Sequence, residues 1–128
     1  MPAVTVAIFL VEDLRQVEGA LTDYLAGLGD FHVVATSRTE AEANHWLQEH
    51  PGQWDALVLD LVLDQGSGMN VISRARQQPG AGKIAVFSGY ASEGIRQHCI
   101  ALGADAVFDK AETAALADWL REVGKKAR

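Results

Sequence analysis

Five short apolar runs punctuate this chain: Val6 to Val11, Phe31 to Ala35, Ala56 to Leu59, Ile84 to Phe87 and Ala106 to Phe108. None is long enough for a buried helix, and strands that are apolar throughout are those covered on both faces. Each interval between them carries a helical pattern. From about Leu14 to Leu28, the residues Leu14, Val17, Leu21, Leu25 and Leu28 share one face, Gly29 marks the stop, and Asp13 stands where it could help the free N–H groups. Thr39 and Glu42 form a T-x-x-E capping box for a helix that runs to His50, with Trp46 and Leu47 inward and Pro51-Gly52 as its stop. Gly66-Ser67-Gly68 allows a tight loop before a third helix ending near Pro79-Gly80. A fourth, from about Ser92 to Gly103, spaces Ile95, Cys99 and Leu102 helically, and a fifth, Thr113 to Val123, carries Leu116, Trp119, Leu120 and Val123 on one stripe. The expected architecture is α/β: a (βα)5, doubly wound, five-stranded parallel sheet.

In such a sheet ligands bind outside the carboxyl ends of the strands, so the residue after each apolar run matters more than the run itself. The first run leads into Glu12 and Asp13, the third into Asp60, the fourth into Ser88, and the fifth into Asp109 and Lys110; the second ends without such a group. Carboxylates about 5 Å apart repel by roughly 3 kcal/mol at an effective dielectric near 20. Glu12, Asp13 and Asp60 therefore call for a positive partner. A divalent cation such as Mg²⁺ takes one or two carboxylates, keeps several waters and bridges to phosphate oxygens, and Lys110 adds a second positive charge. A carboxylate nucleophile, a cation site, an ammonium and a hydroxyl together suit phosphoryl transfer, which asks mainly for positioning and charge neutralisation.

These residues resemble the receiver domains of two-component response regulators (the CheY-like superfamily), over essentially the whole chain. DALVLDLVLDQGSGMNVI (Asp55 to Ile72) is similar to the family's phospho-acceptor strand and loop, VFSGY (Val86 to Tyr90) to its switch Ser/Thr strand end, and GADAVFDK (Gly103 to Lys110) to its lysine strand end. The resemblance implies a flavodoxin-like strand order 2-1-3-4-5. It also implies that Asp60 accepts a phosphoryl group from a sensor histidine kinase or histidine phosphotransfer protein. Asp13 and Asp60 would bind Mg²⁺ with the backbone carbonyl of Val62, Glu12 would act through a water, and Ser88 and Lys110 would each hold a phosphoryl oxygen. The chain would catalyse only its own phosphorylation and dephosphorylation. The surface of the fourth helix, fifth strand and fifth helix would then dock a downstream protein partner or a second copy.

The chain departs from the family at several positions. Asp64 stands where proline is common four residues after the acceptor, Ala111 replaces the cis proline after the lysine, and Val107 occupies the place of the switch aromatic, with Phe108 on the other side of the strand and expected in the core. Val62, Gly89 and Tyr90 are expected to tune the lifetime of the acyl phosphate. Val62 and Tyr90 offer no base to orient a water, and Gly89 either leaves space for small donors or serves a loop needing positive φ. A phosphatase of the haloacid dehalogenase type is the alternative from another class, but its general acid would fall on Val62, and Asp64 is out of register. An adaptor that is never phosphorylated is a third.

The 128 residues have room for one domain, with a core from about 4 to 123 and a basic tail over 124–128. A net charge of -6 argues against direct nucleic-acid binding. No apolar run nears the roughly 20 residues that cross a bilayer. The opening MPAVTVAIFLVED lacks a basic leader, and the single Cys99 fits a reducing compartment, so a cytoplasmic protein is expected. His32, His45, His50 and His98 show no metal-ligand spacing, and Trp46, Trp54 and Trp119 read as packing residues.

Overall fold

A computed structural model describes residues 5–89 and 91–126. Strands β1 (Val6–Val11), β2 (Phe31–Ser37), β3 (Ala56–Leu59), β4 (Lys83–Ser88) and β5 (Ala106–Asp109) alternate with helices α1 (Arg15–Gly27), α2 (Glu40–Glu49), α3 (Gly68–Arg76), α4 (Glu93–Leu102) and α5 (Thr113–Lys126). The sheet order is β2-β1-β3-β4-β5 and every pairing is parallel, as expected. No helix among the described residues is long and apolar enough to cross a membrane.

The alternation of side chains along each strand divides the core in two. Phe9, Val11, Leu57, Leu59, Ile84, Val86 and Val107 face one way, against Ala43 and Leu47 of α2, Val71 and Ile72 of α3 and Cys99 of α4. Ile8, Leu10, Ala56, Val58, Ala85 and Phe87 face the other, against Leu21 and Leu25 of α1 and Leu116 and Leu120 of α5. Strands β1, β3 and β4, apolar on both faces, are thus buried on both, which is why those runs show no polar alternation.

Several boundaries differ from the sequence expectation. Leu14 is not inside α1: it is the N-cap, 56% exposed, and Asp13 does not cap. The Leu14 N–H donates instead to Glu12 Oε2 at 3.3 Å. Thr39 caps α2 by accepting from the Glu42 N–H at 3.1 Å, but the box is not reciprocal, because Glu42 Oε1 accepts from the Arg38 N–H. Trp46 is half-buried, stacked between Phe9 and the ring of His50. Helix α3 stops at Arg76, three residues short of Pro79, since the position before a proline disfavours helical backbone. Helix α5 runs on through Lys126, so most of the expected tail is helical; residues 127–128 lie outside the described set.

Candidate functional site

The register of the sheet delivers the acids to one place. The Glu12 N–H donates to the Ser37 carbonyl at 2.9 Å and the Asp60 N–H to the Val11 carbonyl at 2.9 Å, which extends the β1 pairings one step and sets Asp60 beside the β1 end. Glycine at 68 is required here: a Cβ on it would stand 2.1 Å from the Asp60 carbonyl oxygen, so only a bare backbone lets α3 start this close to the acceptor strand. Ligand oxygens of Glu12, Asp13 and Asp60 lie within 4.8 Å of one another.

Lys110 reaches this cluster from the far side of the sheet. Its Nζ donates to Glu12 Oε1 at 2.6 Å and to Asp60 Oδ2 at 2.9 Å, and the side chains are 25%, 3% and 9% exposed respectively. One ammonium against three carboxylates leaves the cluster two charges negative, in a setting where burial strengthens every charge interaction. Burial pushes the Glu12 carboxyl above its usual range, against the opposing pull of Lys110. Burial disfavours the Lys110 ammonium, but its bonds to Glu12 and Asp60 outweigh that and raise its affinity for the proton. Lys110 is therefore a fixed cation at neutral pH. The donor set, all hard oxygens around a partly neutralised negative site, fits a divalent cation.

The loop that carries Lys110 closes on itself without proline. Asp109 N–H donates to Glu112 Oε1 at 2.9 Å, Glu112 N–H to the Asp109 carbonyl at 2.8 Å, and Ala111 N–H to Asp109 Oδ1 at 2.9 Å. No peptide bond among the described residues is cis, so Lys110–Ala111 is trans. A D-x-x-E pattern in the sequence signals this turn. Glu112→Ala is expected to lower stability by about 1 kcal/mol, the usual worth of such a bond. Urea unfolding measures it, and an unchanged midpoint would show that the turn holds without Glu112.

Ser88 ends β4, fully buried and in register with Asp109. Val62 is 53% exposed, with its N–H 3.4 Å from Asp60 Oδ1. Gly89 has open space around its Cβ position and no positive φ, so neither crowding nor backbone conformation requires glycine there. Tyr90 lies outside the described residues. Val107 is buried on the α4 side, and its carbonyl accepts from Arg96 Nη1. Phe108 is half-buried and packs edge-on against Trp119, with ring centroids 6.2 Å apart.

Sequence reasoning missed Arg38. The second run was expected to end without a polar group, but β2 continues to a buried Ser37, and the next residue donates from Arg38 Nε to the Asp13 carbonyl at 3.1 Å. Alternate exposed positions in β2, an edge strand, hid its true end. A cavity of about 600 Å³ lies at the opposite edge of the sheet, between Trp54, Gly82 and Trp119, with none of these acids in its wall.

The family model for the response regulator receiver domain matches residues 8–120. Among curated proteins no relative matches the chain. Solved structures with the same fold include a LuxR-family two-component response regulator from Aurantimonas sp. SI85-9A1 (24% identity, TM-score 0.85, covering 95% of this chain and 86% of that one). The BeF3-activated N-terminal receiver domain of Klebsiella pneumoniae RstA is similar (25%, TM-score 0.81, 92% and 97%). So is a chain in the complex of the P1 domain of CheA3 with CheY6 from R. sphaeroides (25%, TM-score 0.77, 95% and 98%). With its acids and lysine gathered at the carboxyl edge of a 2-1-3-4-5 sheet, the chain belongs to the response regulator receiver domain family.

Proposed function

We propose that Asp60 accepts a phosphoryl group from a phosphohistidine on a sensor histidine kinase or histidine phosphotransfer protein. The observation that carries this reading is the buried Asp60 carboxylate, joined to Lys110 at 2.9 Å inside a cluster of acids that fits a cation. An Asp60 oxygen attacks phosphorus, the P–N bond breaks, and the imidazole nitrogen leaves with the bonding pair and takes a proton, so an acyl phosphate replaces the carboxylate. Lys110 stays protonated and turns from the carboxylate toward a phosphoryl oxygen. Ser88, on the neighbouring strand end, donates its hydroxyl to another. Asp13, Asp60 and the Val62 carbonyl would hold Mg²⁺ directly and Glu12 through a water; when bound, the ion offsets the charge of the phosphoryl oxygens. Intact mass of the wild type and Asp60→Ala after incubation with Mg²⁺ and acetyl phosphate tests the assignment.

An apolar groove of about 430 Å³ runs from Lys110 between α1 and α5, over Val17, Leu21 and Phe87. A donor protein would dock on this groove beside Asp60; in support, a structural relative of this chain is in complex with a P1 domain. Charge added at Asp60 draws on Ser88, which ends β4, and on Lys110, which follows β5. The α4-β5-α5 surface is then what a downstream partner, or a second copy, reads.

Neither Val62 nor Tyr90 offers a base to a water attacking the acyl phosphate, and Val62 is exposed beside Asp60. A long-lived phosphorylated form is expected. Tyr90→Glu should release phosphate several-fold faster, followed by the decay of the phosphorylated mass; equal decay would remove Tyr90 from this role.

A further inference from the structure

The segment between Asp60 and α3 contains Val62, a bond from its N–H toward Asp60, and no proline to stiffen it. Leu61 and Leu63 anchor it in the core, and Glu40 grips its far end. Glu40, the first residue of α2, accepts on Oε1 from the Ser67 N–H at 2.9 Å and from Asn70 Nδ2 at 3.1 Å, while its own N–H donates to the Gln65 carbonyl at 3.0 Å. Those bonds hold the Glu40 carboxyl below its usual range, the Ser67 N–H most strongly, so the acceptor is ionised at neutral pH.

The backbone is shaped around this grip. Gly66 has φ 87°, and a Cβ there would lie 2.4 Å from Glu40 Cβ, so glycine is needed both for conformation and for closeness. Ser67 then bridges back to Val62 across the loop. Ser67 also caps α3 by accepting from the Met69 N–H at 3.1 Å. Glu40 thus holds Ser67, which lies opposite Val62; the Gly68 N–H closes the loop on the Leu61 carbonyl at 3.0 Å, and the Val62 N–H points to Asp60 Oδ1 at 3.4 Å.

We propose, on the basis that Asp60 and its neighbours hold Mg²⁺ for phosphoryl transfer, that Glu40 is a positioning residue for cation binding: by gripping Ser67 and Asn70 it fixes the Val62 segment beside Asp60. Glu40 touches neither the cation nor the phosphoryl group. Its effect is on where the Val62 backbone stands. Groups that orient a metal site from behind commonly alter affinity ten-fold or more, and about ten-fold is expected here.

The experiment titrates wild type, Glu40→Ala and Glu40→Gln with Mg²⁺ alone, followed by backbone amide NMR shifts, and measures exchange of the Ser67 amide in the same samples. Glu40→Ala should lose Ser67 protection and bind Mg²⁺ about ten-fold more weakly. Glu40→Gln keeps an Oε1 acceptor and should recover most of the affinity. With acetyl phosphate, the Mg²⁺ concentration for half-maximal acceptance should rise by the same factor while the rate at saturating Mg²⁺ stays within about two-fold. A residue that only supports the fold would shift the melting temperature without this split.

Gly66→Ala, which pushes Glu40 away while leaving its side chain intact, should weaken Mg²⁺ in the same direction and covers the case in which Glu40→Ala does not fold. Loss of Ser67 protection with unchanged Mg²⁺ affinity would overturn the role of Glu40 alone. A wild type that binds no Mg²⁺ would overturn the phosphoryl-acceptor reading, and the inference with it.

Discussion

Wild-type protein incubated with Mg²⁺ and acetyl phosphate is expected to gain about 80 Da, a phosphoryl group with up to two negative charges, and the Asp60→Ala protein to gain nothing. The three acids are not equivalent. Glu12 is 3% exposed and has both oxygens engaged, one by Lys110 and one by the Leu14 N–H. Asp60 stands between Lys110 on Oδ2 and the Val62 N–H near Oδ1, with a cation already at hand for the phosphoryl oxygens. Loss of acceptance in Asp60→Ala will not come from unfolding. Removing one of three carboxylates relieves repulsion of roughly 3 kcal/mol per pair at 5 Å, while forfeiting one ion pair of similar size. Urea unfolding should therefore show a variant about as stable as the wild type. A mass gain that survives Asp60→Ala would move the acceptor elsewhere, and none in either protein with acetyl phosphate or with a phosphorylated histidine donor would remove the acceptor reading.

Lys110→Met should act in the opposite way, on stability first. It leaves Glu12 and Asp60 buried without their cation. Breaking a fully buried pair costs about 3–5 kcal/mol, and since Lys110 is a quarter exposed, about 2–3 kcal/mol is expected at neutral pH in the absence of Mg²⁺. The loss must shrink in acid. Burial already raises the Glu12 carboxyl above 4.5, and the Lys110 bond is what opposes it, so the variant's Glu12 rises further. A folded carboxyl above its unfolded value binds its proton more tightly when folded, so stability falls as pH climbs through that raised value and returns as pH drops. The gap between variant and wild type should thus narrow in urea unfolding as pH falls toward the raised Glu12 value. Saturating Mg²⁺ should recover part of the loss, because the ion binds only the folded chain. A gap that is constant with pH would mean that Glu12 does not feel the missing charge.

Much of this site could be read from the order of residues. Asp60 and Ser88 follow an apolar run directly and Lys110 stands one residue beyond another, and a run apolar on both faces leaves few choices for where its end lies. Where that signal fails, so does the reading. Strand β2 lies at the sheet edge with alternate residues exposed, so the run Phe31 to Ala35 ended too early and hid Ser37 and Arg38. Leu14 fits the apolar stripe of α1 but is the exposed N-cap, because the backbone has not yet turned helical there. Glu42 was placed in a reciprocal box, yet its carboxylate turned to the Arg38 N–H. Side chains at helix starts choose among nearby donors, and spacing alone does not decide which.

Five strands, five helices, their parallel arrangement and the acids and lysine at the carboxyl edge could all be read from the order of residues, since periodicity and burial act through local chain geometry. Which groups pair across that edge emerged only in the folded chain. Lys110 bridges Glu12 and Asp60, which are 98 and 50 residues away, and Glu40 grips Ser67 and Asn70 from another helix. Those partnerships depend on strand order and loop path, and on close approaches at Gly66 and Gly68 that leave no room for a Cβ. Spacing along the chain carries no record of them, because hydrogen bonds and ion pairs are satisfied in space by whichever groups the packed sheet brings within reach.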